Sequence, residues 1–229
     1  MEPWTLGLVA VIVVGLAVIL YGALSDRAKN RRAAEEMLTP PKRTIPQFSP
    51  DAPAPQYLSD LQARRRPVQP MPAEPSAVER AQLADQLRDP STVTINAGWL
   101  SRDFVTDPGT GQAVLDAPMV LACLDPVEST RELLGVLERA SLSGTALVVV
   151  APSFSDEVRG TLEVNHIRQT LRVLGVAVAD VAPVAAATGA QPRDRSDLQS
   201  GYVWPEHLGG CGRWVSTSKA SYVLGGQPS

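Results

Sequence analysis

Apolar residues are distributed very unevenly along this chain. Leu6–Leu24 reads LGLVAVIVVGLAVILYGAL, 19 residues without a charge. At about 1.5 Å per residue such a run makes a helix of roughly 28 Å, close to the hydrocarbon thickness of a bilayer. Trp4 and Tyr21 stand near its ends, where amphipathic rings favour the interface. The pattern predicts a transmembrane helix over residues 4–24. A cleaved signal peptide is the alternative, although no basic leading segment or small-residue cleavage site is visible.

From residue 93 onward the pattern is that of a layered domain. Val120–Ala122, Leu147–Val150 and Val173–Val178 are continuous apolar runs, as expected of strands covered on both faces. Between them, Glu128–Ser141 and Ser155–Gln169 have helical spacing. Leu133, Leu134, Val136 and Leu137 form a wide apolar stripe on the first. Ser155, Asp156 and Glu157 suit the start of the second, where acidic groups meet the positive end of the helix dipole. Gly144 suits the end of the first. The β-α-β-α-β order, with short strands after Gly201, predicts an α/β layered domain over residues 91–226.

Residues 25–90 separate the two. Eleven prolines fall between Pro40 and Pro90 among Ala, Gln, Ser and charges. So few apolar side chains cannot offset the entropy of ordering, and a disordered, Pro-rich linker is expected. One short helix is predicted near residues 76–88: Ser76 caps it, Glu79 completes a capping box, and Pro90 stops it. Arg64-Arg65-Arg66 reads as a solvated charge cluster within the linker.

Charge sets orientation and excludes some functions. Only Glu2 precedes the apolar run, whereas Arg27, Lys29, Arg31 and Arg32 follow it. The positive-inside rule puts the amino terminus outside and the domain in the cytoplasm of a single-pass cell-membrane protein. From Ser91 onward there are 10 basic and 14 acidic residues, so no basic stripe exists to hold nucleic acid. Cys123 and Cys211 lack CxxC or histidine-rich company and read as buried free thiols. The Ala, Val, Arg and Pro content suggests a bacterial or phage source.

The segment Gly98-Trp99-Leu100-Ser101-Arg102-Asp103-Phe104 opens a series of ordered matches. It is followed by Met119–Ala122, Arg131–Glu138, Gly144–Ala151, Thr161–Asn165 and Leu171–Val173. Together these resemble the apical domain of GroEL-type (group I) chaperonins, the part that grips unfolded polypeptide. The likeness covers roughly residues 93–225 and thins after Val178. Asp180–Gly189 resembles the family's helix before a TGG sequence. Leu208–Gly210, Arg213–Val215 and Ser221–Leu224 resemble its closing strands. No counterpart of the family's equatorial and intermediate domains is found in the sequence.

The resemblance implies a polypeptide-binding groove between the two helices and the adjacent loop. The matching positions are Trp99, Ser101, Phe104, Leu134, Leu137, Arg159, Glu163 and Val164. Three of the family's groove positions carry charge here: Asp103 replaces an aromatic residue, and Arg159 and Glu163 replace aliphatic ones. Each lost aliphatic side chain forfeits about 1.5–3 kcal/mol of potential burial. Recognition of one defined protein or peptide segment is therefore expected, rather than capture of any greasy chain. Arg159 and Glu163, four apart, are expected to pair.

No enzyme is expected. The chain lacks the Gly-Asp-Gly-Thr phosphate loop of chaperonin ATPases, and Gly109-Thr110-Gly111 reads as a turn rather than a P-loop. Ser216-Thr217-Ser218-Lys219 matches an SxxK pattern but lacks its partner motifs and reads as a hairpin turn. His166 and His207 read as surface histidines. No cofactor, nucleotide or nucleic acid is expected, and the partners are a protein or peptide segment and, through the first helix, a lipid bilayer. The alternative is a structural or assembly factor that docks on a membrane complex through another surface.

Overall fold

The three continuous apolar runs form adjacent parallel strands at one end of a single sheet. The computed structural model of the protein describes residues 3–38, 62, 64, 65 and 75–226. Strands β1 (Val93–Ile95), β2 (Ala113–Asp116), β3 (Met119–Ala122), β4 (Leu147–Ala151), β5 (Val173–Ala177), β6 (Gly209–Ser216) and β7 (Ser221–Gly226) make up the sheet. Its order is β1-β7-β6-β3-β4-β5, with β2 also pairing with β6. β3, β4 and β5 run parallel, and β6 is antiparallel to β2, β3 and β7. All five residues of β4 are buried, which explains a strand with no polar alternation.

Helices α1 (Pro3–Leu38) and α2 (Ala77–Leu87) precede the strands in the chain, and two helices cross over between the parallel strands, α3 (Thr130–Ser143) after β3 and α4 (Asp156–Ile167) after β4. Ser129 caps α3, and Glu132 completes a capping box. That explains a start two residues later than the apolar spacing predicts. Leu133, Val136, Leu137 and Ala140 bury one face of α3, and Gly144 ends it in the left-handed conformation at φ 65°. Ser155 caps α4, whose Val158, Leu162 and Glu163 are buried. Two short helices follow β5: α5 (Ala182–Thr188) and α6 (Arg195–Ser200). The sequence pattern did not predict α6, a single turn with only Leu198 buried.

The chain divides into two compact units, Met1–Gln56 and Tyr57–Ser229. The first contains α1 (Pro3–Leu38), one continuous helix that extends 14 residues beyond the expected span 4–24 into the expected linker. Among the described residues no helix is long and apolar enough to cross a membrane. The membrane-spanning role expected for residues 4–24 is therefore not established by the fold. Within α1, Ile12, Val13, Val14, Leu16, Val18, Ile19, Leu20, Tyr21 and Leu24 are all exposed.

Half of the expected linker, residues 25–90, lies outside the described residues, and its last part needs correction. Helix α2 (Ala77–Leu87) has the predicted Ser76–Glu79 capping box and belongs to the second unit. No side chain of α2 is buried, and it is held by polar contacts instead. Arg80 donates twice to Asp107, Nε to Oδ2 and Nη2 to Oδ1, both at 2.9 Å. Arg213 Nη1 donates to Gln86 Oε1 at 3.4 Å. Residues 75–90 are thus a docked element rather than part of a tether.

A candidate protein-binding groove beside the two helices

The N-terminal half of α3 is tied directly to α4. Thr130 Oγ1 and Thr161 Oγ1 share a hydrogen bond of 3.2 Å, and the Thr130 amide donates to Glu157 Oε1 at 3.2 Å. The preceding loops pair as well: the Val127 amide donates to the Ser153 carbonyl, and the Ser155 amide to that of Val127, both at 3.0 Å. Leu134 and Val164 lie about one turn on from the Thr130–Thr161 contact along their own helices. A cavity of about 410 Å³ follows the outer face of α4, lined by Asp156, Glu157, Gly160, Thr161, Val164 and Asn165, with Arg64 from the linker. Two rows four residues apart, Asp156-Gly160-Val164 and Glu157-Thr161-Asn165, generate this face by helix geometry.

The residues expected at the groove separate into exposed and enclosed sets. Leu134 is half exposed, Val164 is half-buried and lines the cavity, and Arg159 is exposed on α4. Leu137 is 8% exposed and belongs to the core, which corrects its expected lining role. Phe104 is corrected in the same way, being fully buried with its ring edge-on to His166 at 5.6 Å. A helical stripe as wide as Leu133–Leu137 has flanks on both sides, and packing against the sheet takes Leu137 inward while Leu134 faces solvent.

The loop residues act as scaffold. Trp99 packs against the core and donates from Nε1 to the Gly111 carbonyl at 3.2 Å. Ser101 caps the short 3-10 turn Arg102–Phe104 by accepting from the Asp103 amide. Leu100 donates its amide to Gly175 in β5 at 2.9 Å, so this loop runs along the sheet edge.

The charged departures form a network. Arg159 Nη2 lies 2.9 Å from Asp156 Oδ1, and its Nε lies 3.7 Å from Glu163 Oε1, as the four-residue spacing predicts. Glu163 is only 5% exposed, and its Oε2 accepts from Arg64 Nη1 at 3.0 Å. The same Arg64 nitrogen reaches Asp103 Oδ2 at 3.3 Å. Arg64 is the site residue that the sequence pattern missed, because a pairing across 99 residues leaves no local spacing signal.

The remaining polar motifs have structural roles. Thr217–Ala220 closes the β6–β7 turn, and Ser216 is buried in a relay in which Ser221 Oγ donates to the Ala97 carbonyl. Gly109 and Thr110 form a turn capped by Asp107. His166 is not a surface histidine but is half-buried, its Nδ1 2.9 Å from the Val173 carbonyl. His207 Nδ1 accepts from the Trp204 amide. Cys123 and Cys211 are buried and free. Burial, reinforced by the negative charges of Glu132 and Asp125, pushes the Cys123 thiol up to about 12. Burial does the same to Cys211, also to about 12, against a hydrogen bond from the Arg213 backbone. Neither has the thiolate character of a nucleophile. Among the described residues no His, Cys, Asp and Glu cluster suits a metal ion.

No family model matches the chain. It is 41% identical over 101 residues to a chaperonin GroEL 1 of Mycobacterium leprae, covering 44% of this chain and 19% of that protein. It is 36% identical over 124 residues to a chaperonin GroEL 1 of Mycobacterium ulcerans, covering 51% and 23%. This chain therefore carries a chaperonin-like domain. It spans about a fifth of the length of the curated relatives it matches. An open-state monomer of a group II chaperonin from Methanococcoides burtonii aligns over 60% of this chain and 31% of its own, at 19% identity and a TM-score of 0.42. Chaperonin likeness is carried by the sequence matches.

Proposed function

We propose that this protein binds a defined protein or peptide segment along the groove bordered by α3 and α4 and holds it near a membrane. The observation that carries this is an accessible furrow on α4, next to an α3 that is tied to α4 at Thr130–Thr161 and carries the half-exposed Leu134, in a chain whose relatives are chaperonins. Apolar contact at Leu134 and Val164 supplies affinity, and the charges of Asp156, Glu157 and Arg159 discriminate among segments. No catalytic step or nucleotide is assigned to the chain.

The apolar run Leu6–Leu24 is proposed as the anchor, with the domain on the cytoplasmic side. A helix whose large apolar side chains are exposed all round is stable only if something other than water covers them. The basic residues after it support the orientation.

One experiment addresses both parts. Membranes carrying the full chain are divided for wild type and Leu134→Asp: one portion is washed with alkaline carbonate to read retention of the chain, and the other is solubilised in mild detergent at neutral pH to quantify the bound partner. The expected result is retention in the pellet for both forms, with partner binding reduced about tenfold or more in the variant. That matches the roughly 1.5–3 kcal/mol lost with one buried leucine contact. Release of the chain into the wash would refute the anchor, and equal partner binding would refute the groove.

A second reading has its own observation. Tyr202 and Trp204 are both more than half exposed outside the cavity lining, and aromatic side chains of that kind are common interface anchors. Docking on a membrane complex through this surface is the structural-factor alternative.

A further inference from the structure

We infer that Arg64 is an internal ligand of the α4 groove, seated between Asp103 and Glu163 so that the chain occludes its own binding surface. The inference rests on the groove reading above and assigns its regulation. Three observations converge. Arg64 Nη1 lies within 3.0 Å of Glu163 Oε2 and 3.3 Å of Asp103 Oδ2, and Arg64 is part of the cavity wall. Glu163 is 5% exposed, a depth at which a carboxylate needs compensating cations, and Arg159 at 3.7 Å leaves the closer contact to Arg64. Asp103 and Glu163 are also two of the three positions whose charge departs from the chaperonin groove pattern. These two departures converge on one guanidinium.

The occupant is the Arg64 side chain, which an intramolecular connection presents at high effective concentration. Half of the Arg64 side chain stays exposed, so the contact is reversible and salt-sensitive. An incoming segment must displace Arg64 to reach the α4 end of the groove. The groove is therefore selective for segments that offer their own cation to Glu163.

The test uses the full chain in detergent micelles and a fluorescent peptide of the sequence Tyr57–Pro70, read by anisotropy. Arg64→Ala protein is expected to bind the peptide at least tenfold more tightly than wild type, because the internal competitor is gone. Adding Asp103→Asn or Glu163→Gln to Arg64→Ala is expected to reverse that gain, as is a peptide with alanine at the position of Arg64. Asp103 is half exposed at its side chain, so Asp103→Asn tests the clasp even if the buried Glu163→Gln variant fails to fold. Equal affinity of wild type and Arg64→Ala, absence of binding to both, or unchanged binding with the altered peptide would each overturn the inference. Those outcomes would leave the groove itself to the Leu134→Asp comparison, which reads partner binding and not the peptide.

Discussion

Gly98→Ala is expected to lower the stability of the domain by about 3 kcal/mol or more, the upper part of the range for overpacking. A side chain at this position would overlap the backbone of Thr217 and Ser218 and come within 2.6 Å of the Lys219 nitrogen. These are main-chain atoms of the β6–β7 turn, which the neighbouring Trp99 amide holds by donating to the Thr217 carbonyl at 2.9 Å. Neither side can yield without breaking the hairpin or the loop. For a chain of this size the loss corresponds to a fall in Tm of roughly 6–12 °C. Gly135→Ala is the control: nothing lies within 4 Å of a Cβ there, mid-helix on α3, and a gain of about 0.5–1 kcal/mol is expected. Thermal or urea unfolding of the two variants decides the point. A Gly98→Ala protein within 1 kcal/mol of wild type would show that the loop and hairpin do not meet so closely.

Arg80→Ala has the next largest expected effect, about 2 kcal/mol. Asp107 is 3% exposed and takes both Arg80 hydrogen bonds, with further ones from the Gly109 amide and Thr110 Oγ1. Removing the guanidinium strands a buried carboxylate, a change that costs about 3–5 kcal/mol in fully buried pairs. The figure is smaller here because Arg80 is one third exposed and the other donors remain. The Arg80 hydrogen bonds hold the Asp107 carboxyl below its ordinary value, against burial, which raises it, and with help from Thr110 and Gly109. A depressed folded-state pKa means that this contribution is complete above the unfolded value of about 3.9 and fades as pH falls through the folded one. Urea midpoints measured from pH 6 to pH 2.5 should decline below about pH 4, less steeply in Asp107→Asn. A matching decline in both proteins would remove Asp107 from the account.

How much of this was legible beforehand depends on the range of the interaction. β3, β4 and β5 were visible because a strand buried on both faces must be apolar throughout, as Leu147–Ala151 is. The ends of α3 and α4 were nearly visible because Ser129, Gly144 and Ser155 act within one turn of themselves. The docking of α2 was not, since one arginine reaching an aspartate 27 residues away resembles any solvated arginine in sequence. The pairing of Arg64, which reads in sequence as one of a solvated charge cluster, was hidden for the same reason. At the proposed groove, the chaperonin resemblance pointed to the helix pair but not to which apolar positions remain accessible. Leu134 and Leu137 are three apart on one helix, and only packing separates the exposed one from the buried one.

The central claim is that α3 and α4 border the surface that takes a partner. Photo-reactive residues placed singly at Leu134, Val164 and Trp204 of the full chain in its membrane test it most directly. Trp204 stands for the rival surface. Cross-links to one common protein from positions 134 and 164, with none from 204, are the expected result. Cross-links from 204 alone would contradict the account and move the partner to the surface around Trp204.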